Sequence, residues 1–87
     1  MFNIRFTQRA TEDLQEFSRA EQKWILGQLE QQLAWNAADE SRDRRRLRPR
    51  ELAEWTIRLG AVRVFYDVDV VNQTVKIEAV GKKMTLL

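Results

Sequence analysis

The sequence predicts an α+β fold: an N-terminal strand, a helical hairpin and then a three-stranded antiparallel sheet, in the order β-α-α-β-β-β. Changes in the hydrophobic period support this prediction. Apolar and polar residues alternate at the N-terminus, apolar residues then recur at spacings of three and four up to about residue 36, and alternation returns in three short runs after residue 53. A period of two is typical of a half-buried strand, whereas spacings of three and four are typical of an amphipathic helix.

The N-terminal part of the chain contains the first strand and both helices. The apolar residues of the strand share one face: Phe2, Ile4 and Phe6. Two helices are expected at roughly 8–17 and 19–36, because Ser18 followed by Glu21 is a capping-box pattern that starts a new helix. The apolar residues of these helices follow the helical spacing: Ala10, Leu14, Phe17, Ala20, Trp24, Ile25, Leu29 and Leu33.

The C-terminal part of the chain contains the three remaining strands. Period-two runs define them: 54–59, 62–68 and 74–80. Gly60-Ala61 between the first two runs fits a tight two-residue hairpin turn with glycine at its first central position, and Asn72-Gln73 supplies the next turn. The intervening segment 37–53 is expected to be a loop.

The hairpin register places Arg58 directly opposite Arg63, on the face turned away from the helices. Other residues are expected on this outer face: Glu54, Thr56, Phe65 and Asp67. Like charges repel at this separation, whereas two guanidinium groups side by side can bind a phosphate bidentately. Two interpretations stay open at this point. The pair could clamp an anion, or both arginines could be solvated and paired with acidic neighbours: Glu54, Asp67 or Glu78.

The segment before the hairpin carries a dense run of arginines that Asp43 interrupts: Arg42, Arg44, Arg45, Arg46, Arg48 and Arg50. The formal net charge of the whole chain is only +2, so this positive potential is local. Arginine rather than lysine favours contacts with phosphates and stacked bases. The run therefore predicts a nucleic-acid or ribonucleoprotein partner, although such charge blocks are also typical of solvated segments.

The composition limits the available chemistry. The 87 residues, expected to form one domain over residues 1–87, include no cysteine and no histidine. Disulfides, Cys-ligated zinc, thiol catalysis and a Ser-His-Asp triad are therefore excluded, and we expect no metal and no cofactor. No signal-peptide pattern or membrane-length apolar stretch is present, which predicts a cytoplasmic protein without a membrane partner.

The aromatic residues divide into two groups. Phe17, Trp24 and Trp55 occupy positions expected to be in the core. Phe65 falls on the arginine face, where it could stack on a base or lie beneath a partner peptide. Trp35, near the end of the second helix, is either at the edge of the core or part of a binding groove.

Four sequence motifs, in this order, resemble the RelE/ParE superfamily of toxins from type II toxin–antitoxin systems. The motifs are Arg46-Leu47-Arg48-Pro49, Glu54-Trp55-Thr56-Ile57-Arg58-Leu59-Gly60, Val62-Arg63-Val64-Phe65-Tyr66-Asp67-Val68 and Ala79-Val80-Gly81-Lys82-Lys83. The resemblance covers essentially the whole chain and implies a RelE/ParE-like fold. Within the RelE branch, it implies a ribosome-dependent endoribonuclease that cuts mRNA.

The resemblance also implies roles for individual residues. Arg58 and Arg63 would hold the scissile phosphate, and Lys83 would add a second positive contact. RNA contacts would come from the arginine segment and the nearby aromatic residue: Arg44, Arg45, Arg46, Arg48, Arg50 and Phe65. The chain departs from the RelE pattern because no tyrosine or histidine follows the last strand, and because Thr56 stands where RelE has a lysine. The proton-transfer group therefore stays open among Glu51, Glu54 and Lys83.

Three functions are compatible with this resemblance. The first is a toxin that inhibits translation by cleaving or binding mRNA on the ribosome. The second is a ParE-like toxin that inhibits DNA gyrase and does not need an arginine clamp, and the third is a degenerate member that binds antitoxin without nuclease activity. All three imply a cognate antitoxin protein in a hetero-oligomer, whereas only the first also implies the ribosome and mRNA as partners.

Overall fold

The helices and strands follow the predicted α+β order with one additional strand. The computed structural model describes residues 1–47 and 52–82. Its elements are β1 (Asn3–Phe6), α1 (Gln8–Leu14), α2 (Arg19–Asn36), β2 (Arg44–Arg46), β3 (Trp55–Leu59), β4 (Val62–Asp69) and β5 (Thr74–Lys82). The α+β prediction is therefore confirmed, and the arginine-rich segment contributes the extra strand.

The strands form one mixed sheet in the order β1-β5-β4-β3-β2. The first strand, β1, pairs in parallel with the last strand, β5, whereas every other neighbouring pair is antiparallel. The sheet therefore has five strands rather than the three expected, because β1 joins one edge and β2 joins the other. The chain between these two parallel strands contains both helices and the other three strands, so the helices lead from β1 to β2 at the opposite edge of the sheet.

The boundary between the helices is set by the predicted capping box. The Ser18 hydroxyl accepts a hydrogen bond from the Glu21 backbone N–H at 3.1 Å, and the Glu21 carboxylate accepts one from the Ser18 N–H at 2.9 Å. The first helix ends at Leu14, three residues earlier than expected. Hydrogen bonds to the third preceding carbonyl tighten the chain there, including one from the Phe17 N–H to the Leu14 carbonyl.

The hydrophobic core lies between the helices and one face of the sheet. Ile25, Leu29 and Leu33 form a fully buried stripe on α2. The core positions expected for Phe17 and Trp55 are confirmed, since both residues are buried. The expectation for Trp24 is wrong: its exposure is 48% because it lies beside this stripe rather than on it.

The second helix is also the longest element of the described chain, with 18 residues. At its C-terminal end, Trp35 is 69% exposed and therefore lies outside the core. None of the helices within residues 1–47 and 52–82 is long and apolar enough to cross a membrane.

The hairpin between β3 and β4 has the predicted turn and register. Gly60 has a φ of +62°, a conformation that favours glycine and suits a tight hairpin turn. Trp55 pairs with Tyr66 on the core face, and Arg58 pairs with Arg63 on the outer face. The register of β4 with β5 shifts between Phe65 and Tyr66, which leaves position 78 without a partner on β4.

This shift changes the face on which part of β5 lies. Strict alternation predicts Val75, Ile77 and Ala79 on one face. In the structure, Ile77 pairs with Tyr66 on the core face, whereas Ala79 pairs with Phe65 on the outer face. The bulge therefore directs the end of β5 toward the arginine face, where Gly81 lies opposite Arg63.

Candidate nucleic-acid interface

The arginine pair on the outer face lies in a shallow concavity of about 170 Å³. Register alone brings Arg58 and Arg63 together, since the two residues lie directly opposite each other on β3 and β4. The lining is almost entirely polar and carries four arginines: Arg42, Asp43, Arg45, Thr56, Arg58 and Arg63. This arrangement concentrates positive charge and guanidinium donors in one place, which suits a phosphate or another oxyanion.

Strand pairing aligns the residues of this concavity in a row across the sheet. The Arg58 backbone N–H donates to the Asp43 carbonyl at 2.8 Å, so Asp43 lies opposite Arg58 at the start of β2. On the other side of Arg58, the row continues through Arg63 on β4 and Gly81 on β5. Because Gly81 has no side chain, β5 places no side chain directly opposite Arg63.

One arginine of the pair has an acidic partner that the sequence analysis did not identify. The Asp43 Oδ1 atom accepts hydrogen bonds from Arg58 Nη2 at 3.0 Å and from Arg58 Nε at 3.2 Å. None of the three acidic partners considered from the sequence forms this ion pair: Glu54, Asp67 and Glu78. The interruption of the arginine run by Asp43 was the only sequence signal for this contact.

The other arginine has no such partner. The Nε atom of Arg63 is buried, yet it has no hydrogen-bond partner among residues 1–47 and 52–82. Arg63 also forms no ion pair within the same part of the chain. A buried N–H donor without an acceptor is costly, so an incoming oxyanion at Arg63 would satisfy a group that the described fold leaves unsatisfied.

The short strand β2 separates the arginines that the sequence places together. Arg45 pairs with Thr56 and belongs to the outer face, where it lines the concavity. Arg44 and Arg46 pair with core-facing positions and therefore point to the opposite side of the sheet. An Nη1 atom of Arg44 donates to the Asn36 carbonyl at the C-terminus of α2. Of the predicted RNA-binding arginines within β2, the structure thus brings only Arg45 to the arginine pair.

The remaining predicted site residues are placed as follows. Phe65 is half-buried and pairs with Thr56, which places it on the outer face next to the concavity. Arg48, Arg50 and Lys83 lie outside the described residues, as does Glu51. Phe65 is therefore the aromatic side chain that the fold places beside the arginine pair.

Beyond Phe65, the outer face carries acidic side chains. The Asp67 carboxylate accepts a hydrogen bond from the Glu54 N–H at 2.8 Å. A hydrogen bond with Asp67 and partial burial raise the pKa of Glu78, and Lys76 lies 3.3 Å from the Glu78 carboxylate. The face therefore has a strongly basic end at the concavity and an end of mixed charge, where Arg5 and Lys76 lie in the same row as Asp67, so its positive potential is concentrated at the concavity.

The single tyrosine is not available for proton transfer on this face. Tyr66 is fully buried, and its hydroxyl donates to the Ala37 carbonyl at 2.8 Å. Burial raises the pKa of Tyr66 above its usual value. The ring stacks on Trp55 with 6.2 Å between the ring centroids. Through this stacking and the hydrogen bond to Ala37, Tyr66 joins the sheet to the end of α2.

Solved structures of RelE toxins share the fold of this chain. The chain is similar to a chain of the toxin–antitoxin complex RelBE2 from Mycobacterium tuberculosis, with a TM-score of 0.81, 23% identity and coverage of 94% of this chain and 98% of that chain. It is also similar to a chain of the archaeal RelE–RelB complex from Pyrococcus horikoshii OT3, with a TM-score of 0.73, 18% identity and 94% coverage of both chains. For the isolated RelE toxin of E. coli, the TM-score is 0.70, with 18% identity and coverage of 94% and 84%.

The family follows from the sequence match. The family model described as the ParE toxin of the type II toxin-antitoxin system, parDE, matches residues 4–86. The chain therefore belongs to this family, which confirms the resemblance to the RelE/ParE superfamily. No curated protein sequence matches the chain at a significant level.

Proposed function

We propose that this toxin inhibits translation by binding mRNA on the ribosome through the arginine concavity, and that it cleaves the bound strand. The observation that carries the proposal is the buried Arg63 Nε atom, which lacks an acceptor among the described residues and lies beside Arg58. Arg42 and Arg45 line the same concavity and would bind flanking phosphates. Phe65 would stack on a base next to the bound phosphate.

The chemistry that this site supports is attack by a ribose 2′-hydroxyl on the adjacent phosphorus. The 2′-oxygen forms a new bond to phosphorus, the bond to the 5′-oxygen breaks, and the products are a 2′,3′-cyclic phosphate and a free 5′-hydroxyl. Arg58 and Arg63 would stabilise the additional negative charge that develops on the phosphoryl oxygens. A base must accept the 2′-hydroxyl proton and an acid must protonate the leaving oxygen, and both roles stay open among Glu51, Glu54 and Lys83.

A cognate antitoxin is the second partner that we propose. Family membership supports it, because the family consists of toxins from type II toxin–antitoxin systems. The antitoxin would lie as a helix or an extended segment along the helical hairpin and the sheet, and it would mask the basic end of the outer face. The two proteins would form a hetero-oligomer in the cytoplasm, and residues 1–87 would act as one toxin domain.

Inhibition of DNA gyrase is a second candidate function, because the matching family is that of ParE toxins. In this case the outer face would contact a protein, and the arginine pair would not bind RNA. A degenerate toxin that binds antitoxin but lacks nuclease activity is the third candidate. The burial of Tyr66 is the observation that favours this candidate, because it keeps the phenolic hydroxyl away from the outer face.

Primer extension on a reporter mRNA translated in a purified system tests the proposal. We expect cuts in phase with codons, no cuts without ribosomes, and loss of the cuts in Arg63→Ala. Arg5→Ala is the matched control, because Arg5 is exposed at the opposite edge of the sheet and its side chain forms no hydrogen bond or ion pair within the described part of the chain. Intact mRNA with normal translation would refute the proposal, and a supercoiling assay with purified gyrase would then separate a gyrase inhibitor from an inactive toxin.

A further inference from the structure

The carboxylate of Asp43 occupies the place on Arg58 where a phosphate oxygen would bind. One carboxylate oxygen accepts hydrogen bonds from Nη2 at 3.0 Å and from Nε at 3.2 Å. These two nitrogens form one edge of the guanidinium group, and this edge is a usual binding site for an oxyanion. Asp43 therefore already uses donors that the proposed phosphate would need.

The backbone around Asp43 holds the carboxylate at this position. A turn precedes β2, in which the Ser41 N–H donates to the Arg44 carbonyl at 2.9 Å and the Arg44 N–H donates to the Ser41 hydroxyl at 3.3 Å. The Arg58 N–H then donates to the Asp43 carbonyl at 2.8 Å. The main chain of Asp43 is thus fixed to β3 independently of its side chain.

The side-chain contact itself is easily exchanged. The side chains of Arg58 and Asp43 are 50% and 48% exposed, so water and salt screen the ion pair. A ligand can replace this carboxylate without opening the core or breaking the strand pairing. Arg63 offers the neighbouring donor, which has no partner among the described residues.

We propose that Asp43 competes with the phosphate for Arg58. It thereby raises the number of phosphate contacts that a ligand must make to bind at the arginine concavity. This inference rests on the proposed function, in which the concavity binds the RNA backbone. A single small anion could bind the unpartnered donor of Arg63, but it would have to compete with Asp43 for the donors of Arg58. A polyanion that also contacts Arg42 and Arg45 displaces the carboxylate, because several phosphates bind together. Asp43 thus favours a nucleic-acid strand over small anions.

The test is the salt dependence of binding to a fluorescently labelled single-stranded RNA of fifteen nucleotides. Asp43→Asn removes the charge, but its amide oxygen can still accept from Arg58, so the fold around the turn is retained. We expect this variant to bind about 1.4- to 5-fold more tightly at 0.15 M salt, which is the range for loss of an exposed ion pair. The slope of log K against log salt should become steeper by about 0.7, because the net positive charge of the concavity rises by one and one more counterion then leaves the RNA on binding.

Two further variants separate competition from a general change of charge. Asp39→Asn removes the same charge from the same segment, but Asp39 does not line the concavity, so we expect a smaller gain and an unchanged slope. Asp43→Glu keeps the charge and should bind like the wild type. Equal affinity and equal slope for Asp43→Asn and Asp39→Asn would overturn the inference.

A third comparison distinguishes failure of this inference from failure of the proposed function. We expect Arg63→Ala to weaken RNA binding, because it removes the donor with no described partner. If Arg63→Ala weakens binding but Asp43→Asn does not strengthen it, only the competition is refuted. If Arg63→Ala binds like the wild type, the phosphate site and the competition are both refuted.

Discussion

The buried hydroxyl of Tyr66 leads to a prediction in which the size of a mutational effect depends on pH. Tyr66→Phe removes the hydrogen bond to the Ala37 carbonyl, which measures 2.8 Å in a fully buried environment. Losing one such bond costs about 1–1.5 kcal/mol of unfolding free energy near neutral pH. For a domain of this size, the melting temperature should fall by about 4–8 °C per kcal/mol.

The difference should disappear in alkaline solution. Burial raises the pKa of Tyr66 in the folded protein, whereas a tyrosine in the unfolded chain titrates near pH 10. Above that pH the unfolded state loses a proton that the folded state keeps, so the wild type loses stability as the pH rises. At pH 11 this loss is on the order of 1 kcal/mol, which is comparable to the contribution of the hydrogen bond. Phenylalanine does not titrate, so the two proteins should be about equally stable near pH 11.

Urea denaturation of both proteins at intervals between pH 7 and pH 11 measures this difference. The other titrating groups are common to the two chains, so their effects cancel in the comparison. Equal stability at pH 7, or a difference that stays constant between pH 8 and pH 11, would show that the hydroxyl is not buried and bonded as described.

Two further predictions concern stability. Ser18→Ala removes the side-chain acceptor of the capping box and should lower the unfolding free energy by about 1 kcal/mol in urea, and a loss below about 0.3 kcal/mol would contradict this assignment. The raised pKa of Glu78, caused first by its hydrogen bond with Asp67 and then by burial, stabilises the folded protein at low pH. This contribution is lost as the pH rises above about 4.5, so the wild type should lose more stability than Glu78→Gln between pH 4 and pH 6.5. Parallel pH profiles for the two proteins would refute this assignment.

Features that depend on local chemistry could be predicted from the sequence. The register of β3 with β4 follows from Gly60, because only a few turns connect two strands tightly and the turn then sets every pair. The boundary between the helices follows from Ser18 and Glu21 for the same reason. The opposition of Arg58 and Arg63 was predictable because it depends on that turn alone.

Features that depend on tertiary contacts could not be predicted. Three consecutive arginines have no alternating pattern, so Arg44–Arg46 becomes a strand only because β3 offers a free edge. The ion pair between Asp43 and Arg58 depends on that added strand, so the sequence did not predict this contact either. Trp24 fits the helical spacing, but the narrow face that α2 buries is already filled by Ile25, Leu29 and Leu33.

The pairing of the first strand with the last has a consequence for the biosynthesis of this toxin. During synthesis β1 leaves the ribosome first, but its partner, β5, is made only after all the other described elements. Until then, β1 lacks its partner strand, and both helices have no complete sheet to pack against. Contacts between such distant segments form slowly. The sheet is therefore completed only late in synthesis. A chain whose synthesis stops before β5 therefore lacks the partner strand of β1.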